Sequence, residues 1–179
     1  MSDSESEVTR RLNRALEVVS AMLGARARGP APAPPTLRDE DVRGRGTVFV
    51  TLPGGEGVCF SLTRPRHSDI NQGIRESNWD PANTRIFYVT DTGSPLPRGT
   101  MARNVEQWAL DELQYDIQKH VLCPKMYKYS GHVPVAHSDL PIISSADPMA
   151  RYLALTRGDV VAIERGAAAG TSTYYRICS

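Results

Sequence analysis

Apolar positions first recur at helical spacing. Val8, Leu12, Leu16, Val19 and Leu23 make one stripe and predict a helix over residues 5–24. Ser4 followed by Glu7 fits a capping box, and Gly24 fits a C-terminal stop. Such a stripe more often covers the protein's own sheet than a partner, so the former is expected. The pattern then changes in kind. Residues 25–46, ARARGPAPAPPTLRDEDVRGRG, are rich in Pro, Arg and Gly and lack large apolar side chains, which predicts a solvated linker with extended stretches. Its arginines are partly offset by Asp39, Glu40 and Asp41, which favours a role in solubility over nucleic-acid contact.

Period-two and β-branched runs follow. TVFVTL at 47–52 and VCFSL at 58–62 read as strands joined through Pro53, Gly54 and Gly55 as a hairpin. A short helix is expected around Ile70 and Ile74, over 68–78, and IFYVT at 86–90 reads as a buried strand. After the loop DTGSPLPRGT, the stripe Val105, Trp108, Ala109, Leu113, Ile117 and Val121 predicts a second amphipathic helix over 105–121, with Asn104 as its cap. Beyond Pro124 the pattern is short and broken by Pro134, Pro141 and Pro148. Asp147 and Pro148 open a short helix as N-cap and first helical residue, with Met149, Tyr152 and Leu153 on its buried face and Gly158 as its stop. DVVAIER and TSTYYRIC flank a turn at 166–170, a terminal hairpin. The expected class is α+β, with an N-terminal αβ domain over 1–118 and a small mixed-sheet domain over 119–179.

Composition narrows the picture only a little. The chain has 179 residues, 40% hydrophobic and 23% charged, with a formal net charge of +1. That balance argues against a protein that grips nucleic acid by bulk positive charge. Cys59, Cys123 and Cys178 are too few and too scattered for a disulfide framework, so a reducing compartment is expected. The start, SDSESE, has no apolar core of a signal peptide, and no apolar run is long enough to span a bilayer.

Catalytic motifs are missing: there is no GxGxxG before a helix, no GxxxxGK[ST], no GxSxG and no HExxH. His120, Cys123, His132 and His137 have zinc-ligand chemistry, but one Cys stands where fingers carry two, so surface histidines are the expected reading. Cys123 beside a His has no evident third group to orient a base, which leaves a nucleophile reading weak. Asp69, Asp80 and Asp91, the acids a metal-dependent nuclease would need, fall in no motif. No catalytic, metal or cofactor residue is expected.

The C-terminal segment carries the strongest signal. Leu140 and Pro141 lead to Asp147, Pro148, Ala150, Arg151, Tyr152, Leu153 and Leu155. Arg157, Gly158, Asp159, Val160, Val161, Ile163 and Arg165 continue, and Gly170, Tyr175, Arg176 and Ile177 close the series. In order, spacing and terminal position this resembles the C-terminal domain of the fifth-largest subunit shared by the three nuclear RNA polymerases. It is similar as well to that subunit's archaeal RNA polymerase counterpart, which has only this module. The family's run is like DPVARYLGLKRGDVVKIIR. Upstream, IFYVTDTGSPLP, VEQWALDELQYDIQKH and HVLCPKMYKYS occupy the slots of the eukaryotic form's N-terminal jaw domain and its junction. The chain departs from that pattern where GHVPVAHSD replaces a helix ahead of Leu140 and where the turn at 166–170 is alanine-rich. These departures point to a divergent copy, such as one encoded by a large DNA virus of eukaryotes.

The resemblance implies a non-catalytic polymerase subunit that needs no cofactor. Its C-terminal assembly domain would pack on the largest subunit through Asp147, Pro148, Arg151, Tyr152, Arg157, Gly158, Tyr175 and Arg176. Arg151, beside Tyr152, serves equally well as an internal brace. The jaw would lie beside downstream double-stranded DNA. Pro95, Pro97 and Arg98 are the candidate DNA-facing residues, making weak, sequence-independent phosphate contacts; a plain strand connection is the rival use of that loop. The implied location is the nucleus, or the virion and the host cytoplasm or nucleus for a viral copy. A free-standing adaptor with the same terminal module, and a metal-dependent nuclease on the N-terminal domain, are the alternatives.

Overall fold

The computed structural model describes residues 6–133, 135–167 and 170–179. The chain divides into two units. One takes the residues through Ser20 together with Pro32–Tyr115, the other takes Ala21–Ala31 together with Asp116–Ser179. Both are α+β.

The first unit is built on a mixed four-stranded sheet in the order β1-β2-β3-β4. β1 (Thr47–Thr51) and β2 (Gly57–Ser61) form the expected antiparallel hairpin, with Val48 opposite Phe60. β3 (Ile86–Thr90) runs parallel to β2 and is buried at every position, as its β-branched and aromatic content requires. Between them α3 (His67–Glu76) packs on the sheet. A Cβ at Gly73 would fall inside the Phe49 ring, so glycine is what lets the helix come this close. Ile70, Ile74, Trp79, Ile86 and Tyr88 form the core on that side, and the Trp79 indole N–H donates to Thr51 Oγ1 at 2.8 Å.

The helix expected over 105–121 does not form. Residues Val105–Ala109 are strand β4, parallel to β3 with Val89 opposite Trp108. Leu110 and Leu113 are buried around a 3₁₀ turn, Asp111–Leu113, and a second 3₁₀ turn follows at Ile117–Lys119. Two effects override the helical spacing. The open edge of β3 offers Val105–Ala109 a ladder. Side chains then compete with helical hydrogen bonding: Glu112 Oε2 accepts from the Ala109 N–H at 2.9 Å, and Asp116 Oδ1 from the Gln118 N–H at 3.1 Å. Val121, assigned by spacing to the apolar stripe, is 91% exposed.

Helix α1 (Glu7–Ala27) forms as expected, with Leu12, Leu16, Val19 and Leu23 buried within the chain; Val8 faces solvent. Ser6 Oγ accepts from the Thr9 N–H at 3.3 Å at its start, whereas Ser4 lies outside the described residues. Gly24 does not stop the helix. A Cβ there would sit 2.7 Å from the Ala31 Cα, so this glycine is a close-approach site for the proline-rich segment. That segment is largely exposed yet tethered. Leu37 exchanges hydrogen bonds with the Asn13 side chain, at 2.8 and 3.0 Å. Residues Asp39–Val42 form a short helix, α2, absent from the expected loop, and Asp39 accepts from the Ser6 N–H at 3.1 Å. No helix among the described residues is long and apolar enough to cross a membrane.

The second unit holds a mixed sheet in the order β5-β7-β8-β6. The terminal hairpin, β7 (Val160–Ala167) and β8 (Gly170–Cys178), is its centre; the middle of the turn expected at 166–170 lies outside the described residues. β5 (Lys125–Tyr129) pairs antiparallel with β7, and β6 (Ile142–Ile143) parallel with β8. Between β5 and Leu140 the described residues form no helix but the 3₁₀ turn His137–Asp139, and Pro134 lies outside them.

Candidate functional site

The residues singled out in the C-terminal segment gather around one short helix and the hairpin that follows it. Helix α4 (Pro148–Tyr152) starts as the sequence dictates. Asp147 Oδ1 accepts from the Met149 and Ala150 N–H groups at 2.8 and 3.4 Å, and Pro148 occupies a position where no N–H is needed. Its end is not at Gly158. The Ala154 N–H donates to Arg151 O at 3.0 Å and the Leu155 N–H to Ala150 O at 2.8 Å, with Ala154 left-handed at φ 51. That is a Schellman stop with alanine in the usual glycine position. Gly158, at φ 91, instead makes the turn into β7, its N–H donating to Cys178 O at 2.9 Å.

Arg26, in the last turn of α1, donates through Nε to Tyr152 O at 2.8 Å and through Nη2 to Arg151 O at 3.0 Å. The guanidinium gives Tyr152 O a donor, adds a second donor to Arg151 O beside the Ala154 N–H, and complements the helix dipole. Sequence reasoning missed Arg26, which sits 126 positions from Tyr152 in a segment read as linker. Tyr152 is 3% exposed, and its hydroxyl donates to the buried Asp116 carboxylate at 3.1 Å. Burial, then the Asp116 charge, push the Tyr152 hydroxyl well above the ordinary tyrosine range. Tyr152 is thus a fastener of α4.

Asp159 ties the turn before β7. It accepts from the Thr156 N–H at 2.7 Å, the Thr156 hydroxyl at 2.9 Å and Lys128 Nζ at 2.7 Å. Burial works to raise this carboxyl, but those hydrogen bonds outweigh it and hold Asp159 below its ordinary value. On the hairpin, Tyr175 stacks at a tilt against Tyr129, with ring centres 5.0 Å apart, and packs on Val133, Leu140 and Val160. Arg157, Gly158 and Arg176 are exposed.

The loop 91–104 lies in the other unit. Its middle is pinned: Asn71 Nδ2 donates to Gly99 O at 3.1 Å, the Met101 N–H to Asn71 Oδ1 at 2.8 Å, and the Leu96 N–H to Gln107 Oε1 at 3.2 Å. Leu96 packs on the core of the unit. Pro95 and Arg98 are exposed and Pro97 is half-buried, its carbonyl accepting from Thr100 Oγ1 at 2.8 Å. Arg98 has no ion pair among the described residues.

The other candidate chemistry is not brought together. Among the described residues no group of three or more His, Cys, Asp or Glu side chains is placed to hold a metal ion, His120, Cys123, His132 and His137 included. Asp69 caps α3 at the Arg66 N–H, Asp80 caps the turn at Ala82, and Asp91 pairs with Arg11 at 3.1 Å. Burial raises the thiol of Cys123, with the Asp116 and Asp147 charges adding to it, which is the wrong direction for a thiolate nucleophile. Burial alone pushes Cys59 up to about 12. An open groove is lined by Arg10, Arg14, Arg38 and Arg43, but Arg14 is paired with Glu17 and Arg38 with Glu40.

Comparison with known proteins bears on the C-terminal part above all. Residues 115–178 match the family model of the RNA polymerase Rpb5, C-terminal domain. A Dictyostelium discoideum protein named DNA-directed RNA polymerases I, II, and III subunit rpabc1 is 32% identical over 113 residues, covering 54% of this chain and 57% of that relative. The chain thus spans little more than half the length of that relative. The likeness read from the C-terminal residues is upheld: the capped α4 turn and the β7–β8 hairpin both lie inside the matched segment.

Proposed function

We propose, taking residues 115–178 as an RNA polymerase Rpb5 C-terminal domain, that this chain is a non-catalytic subunit of a multi-subunit DNA-directed RNA polymerase. The observation that carries the reading is a coincidence of boundaries. The family match starts at residue 115, and the contiguous part of the second unit starts at Asp116. A domain of about sixty residues buries little interior for its chain length, which favours completion by a larger neighbour. Eukaryotic forms of this subunit act in the nucleus, and that is the location we assign.

The partner surface we assign is the rim of α4 and the hairpin: Arg157 and Arg176, which are exposed, with the half-buried Arg151 and Tyr175. Guanidiniums here suit bidentate pairing with carboxylates, or carbonyl capping, on the largest subunit. Asp147, Pro148, Tyr152 and Gly158 contribute by fixing the backbone that presents them. The loop bearing Pro95, Pro97 and Arg98 is the downstream-DNA contact in this reading. Its pinning by Asn71 and Gln107 supports that use, since a loop whose backbone is already fixed loses less conformational freedom on meeting a phosphate.

The test is assembly. Arg157→Glu combined with Arg176→Glu, both at exposed positions, should reduce recovery of the largest subunit in a pull-down, while polymerisation by the complex that does form is unchanged per mole. Recovery equal to that of the unaltered chain would remove this surface from the interface. A nuclease reading gains no support from Asp69, Asp80 and Asp91, each of which already holds a local structure.

A further inference from the structure

Strand β8 is covered along one edge and nearly bare along the other. β7 pairs with it over its whole length, from Val160 opposite Ile177 to Ala167 opposite Gly170. On the far side β6 reaches only Ile177 and Cys178. The directions of the backbone groups follow from bonds already made. The Ile177 N–H donates to Pro141 O at 3.0 Å and the Ser179 N–H to Ile143 O at 3.1 Å, both toward β6. The Cys178 N–H points the other way, to Asp159 O at 2.8 Å. Successive residues of a strand turn their N–H and C=O to opposite edges. Thr173 and Tyr175 therefore present theirs on the bare side, and among the described residues no hydrogen bond reaches them.

The chain itself does not continue this ladder. The residue before β6 is Pro141, which has no N–H, and the chain departs there toward the turn His137–Asp139. The usual devices that blunt an edge are missing as well. β8 contains no Pro, Lys, Asp or Glu, and Ser172, Thr173 and Tyr174 are exposed. β5, the outer strand on the opposite side of the sheet, carries Lys125 and Lys128. Beyond Glu164 the hairpin loses its third strand too, because β5 pairs only with Val160–Glu164. A ribbon of two strands is marginal in water.

We infer that the bare edge of β8 takes an extended segment of a partner polypeptide as an added strand. The segment is short and rich in apolar or hydroxyl side chains, with a carboxylate near each end. The charges at the edge set that last feature. At one end Arg165, on β7 opposite Ser172, reaches over β8 with its guanidinium 5.9 Å from the centre of the exposed Tyr174 ring; at the other Arg176 donates to Ile142 O at 3.4 Å, and neither has a carboxylate partner among the described residues. Main-chain bonds to Thr173 and Tyr175 supply affinity, and the two arginines fix register and exclude basic segments. This inference rests on the polymerase reading, with another subunit as the donor of the strand.

A proline substitution isolates the edge. Thr173→Pro deletes an outward N–H and no bond to β7. The full-length variant should keep the thermal midpoint of the unaltered chain, yet recover about tenfold less of the other polymerase subunits, the loss expected when a main-chain ladder cannot form. Thr173→Val should recover them normally. A photo-crosslinking benzoylphenylalanine at Ser172 should join the chain to another subunit in the assembled complex, and this readout stands even where the proline variant fails to fold. Normal recovery with Thr173→Pro, or no crosslink from Ser172, overturns the added strand while the unaltered chain still retrieves polymerase. If the unaltered chain retrieves none, both readings fall together.

Discussion

Replacing Ala154 by glycine should make the protein more stable. The three non-glycine residues with positive φ, Arg28 at 54, Asn78 at 55 and Ala154 at 51, occupy the same structural position. Each follows a helix and closes a Schellman pair. The Gly29 and Arg28 N–H groups donate to Gly24 O and Ala25 O at 3.0 and 3.3 Å. Those of Trp79 and Asn78 donate to Ile74 O and Arg75 O, both at 3.0 Å, and those of Leu155 and Ala154 do the same for α4. A Cβ in this conformation costs about 1–2 kcal/mol. Glycine removes that cost but gives back about 0.4–1 kcal/mol through the freer unfolded chain. Ala154 is half-buried, so losing its methyl returns roughly another 0.4 kcal/mol. The net gain is about 0.5 kcal/mol, or about 1–2 °C in Tm for a chain of this size. Arg28 is exposed, but its guanidinium lies over the Tyr127 ring at 4.7 Å, a contact worth about 0.5–1 kcal/mol, so Arg28→Gly should gain less than Ala154→Gly. Asparagine tolerates this conformation, so Asn78→Gly should be close to neutral. Urea unfolding gives the order, and slower exchange of the Leu155 amide localises the effect at α4. A destabilised Ala154→Gly, or an equal gain at Asn78, would refute the argument from backbone strain.

Further outcomes follow from particular contacts. Gly24→Ala improves helix propensity by about 1 kcal/mol, yet its Cβ would press on the Ala31 backbone at 2.7 Å, an overpacking cost of about 1–3 kcal/mol; the variant should unfold earlier in urea. Asp159 and Glu164 both titrate below their ordinary values of 3.8 and 4.5, Asp159 because its hydrogen bonds outweigh burial and Glu164 through hydrogen bonds from Lys125 and Tyr127. A depressed folded value stabilises above the unfolded value and is lost as pH falls through the folded one. Thermal stability should therefore decline below about pH 4.5, and Asp159→Asn should flatten that decline; a profile unchanged by the substitution counts against the carboxylate. Arg98→Glu should weaken retention of downstream DNA by the assembled complex at low salt and have little effect at high salt, measured as dissociation across an ionic-strength series. Equal retention at every salt would make the 91–104 loop a connector only.

Much of the sheet framework could be read from residue type. TVFVT, GVCFS and IFYVT are β-branched and aromatic runs, and Pro53-Gly54-Gly55 marks the turn between the first two. The Asp147-Pro148 start of α4 was legible because cap and first residue are adjacent in sequence. Helix ends were not, because the left-handed residue is Arg, Asn or Ala where the rule expects Gly. Gly24, read as a stop, serves close packing. Residues 105–121 misled because Val105, Trp108 and Leu113 suit a helical stripe and a strand followed by a 3₁₀ turn equally well; the free edge of β3, a tertiary feature, decides between them. Strand β5 was hidden because Met126 is its one buried side chain. At the candidate site, the family-like run marked Arg151 and Tyr152, but neither Arg26 nor Asp116 could be found from spacing. Their partners are brought to them only by folding.

The central claim is that this chain is a stoichiometric part of a transcribing assembly. Affinity purification of the tagged full-length chain from its native cell, under gentle salt and with quantitation of every associated polypeptide, addresses it most directly. The account predicts two very large chains recovered at one copy each per copy of this protein, in a fraction that synthesises RNA on a DNA template. Recovery of the chain alone, or with partners that neither include such a pair nor carry RNA synthesis, would contradict it.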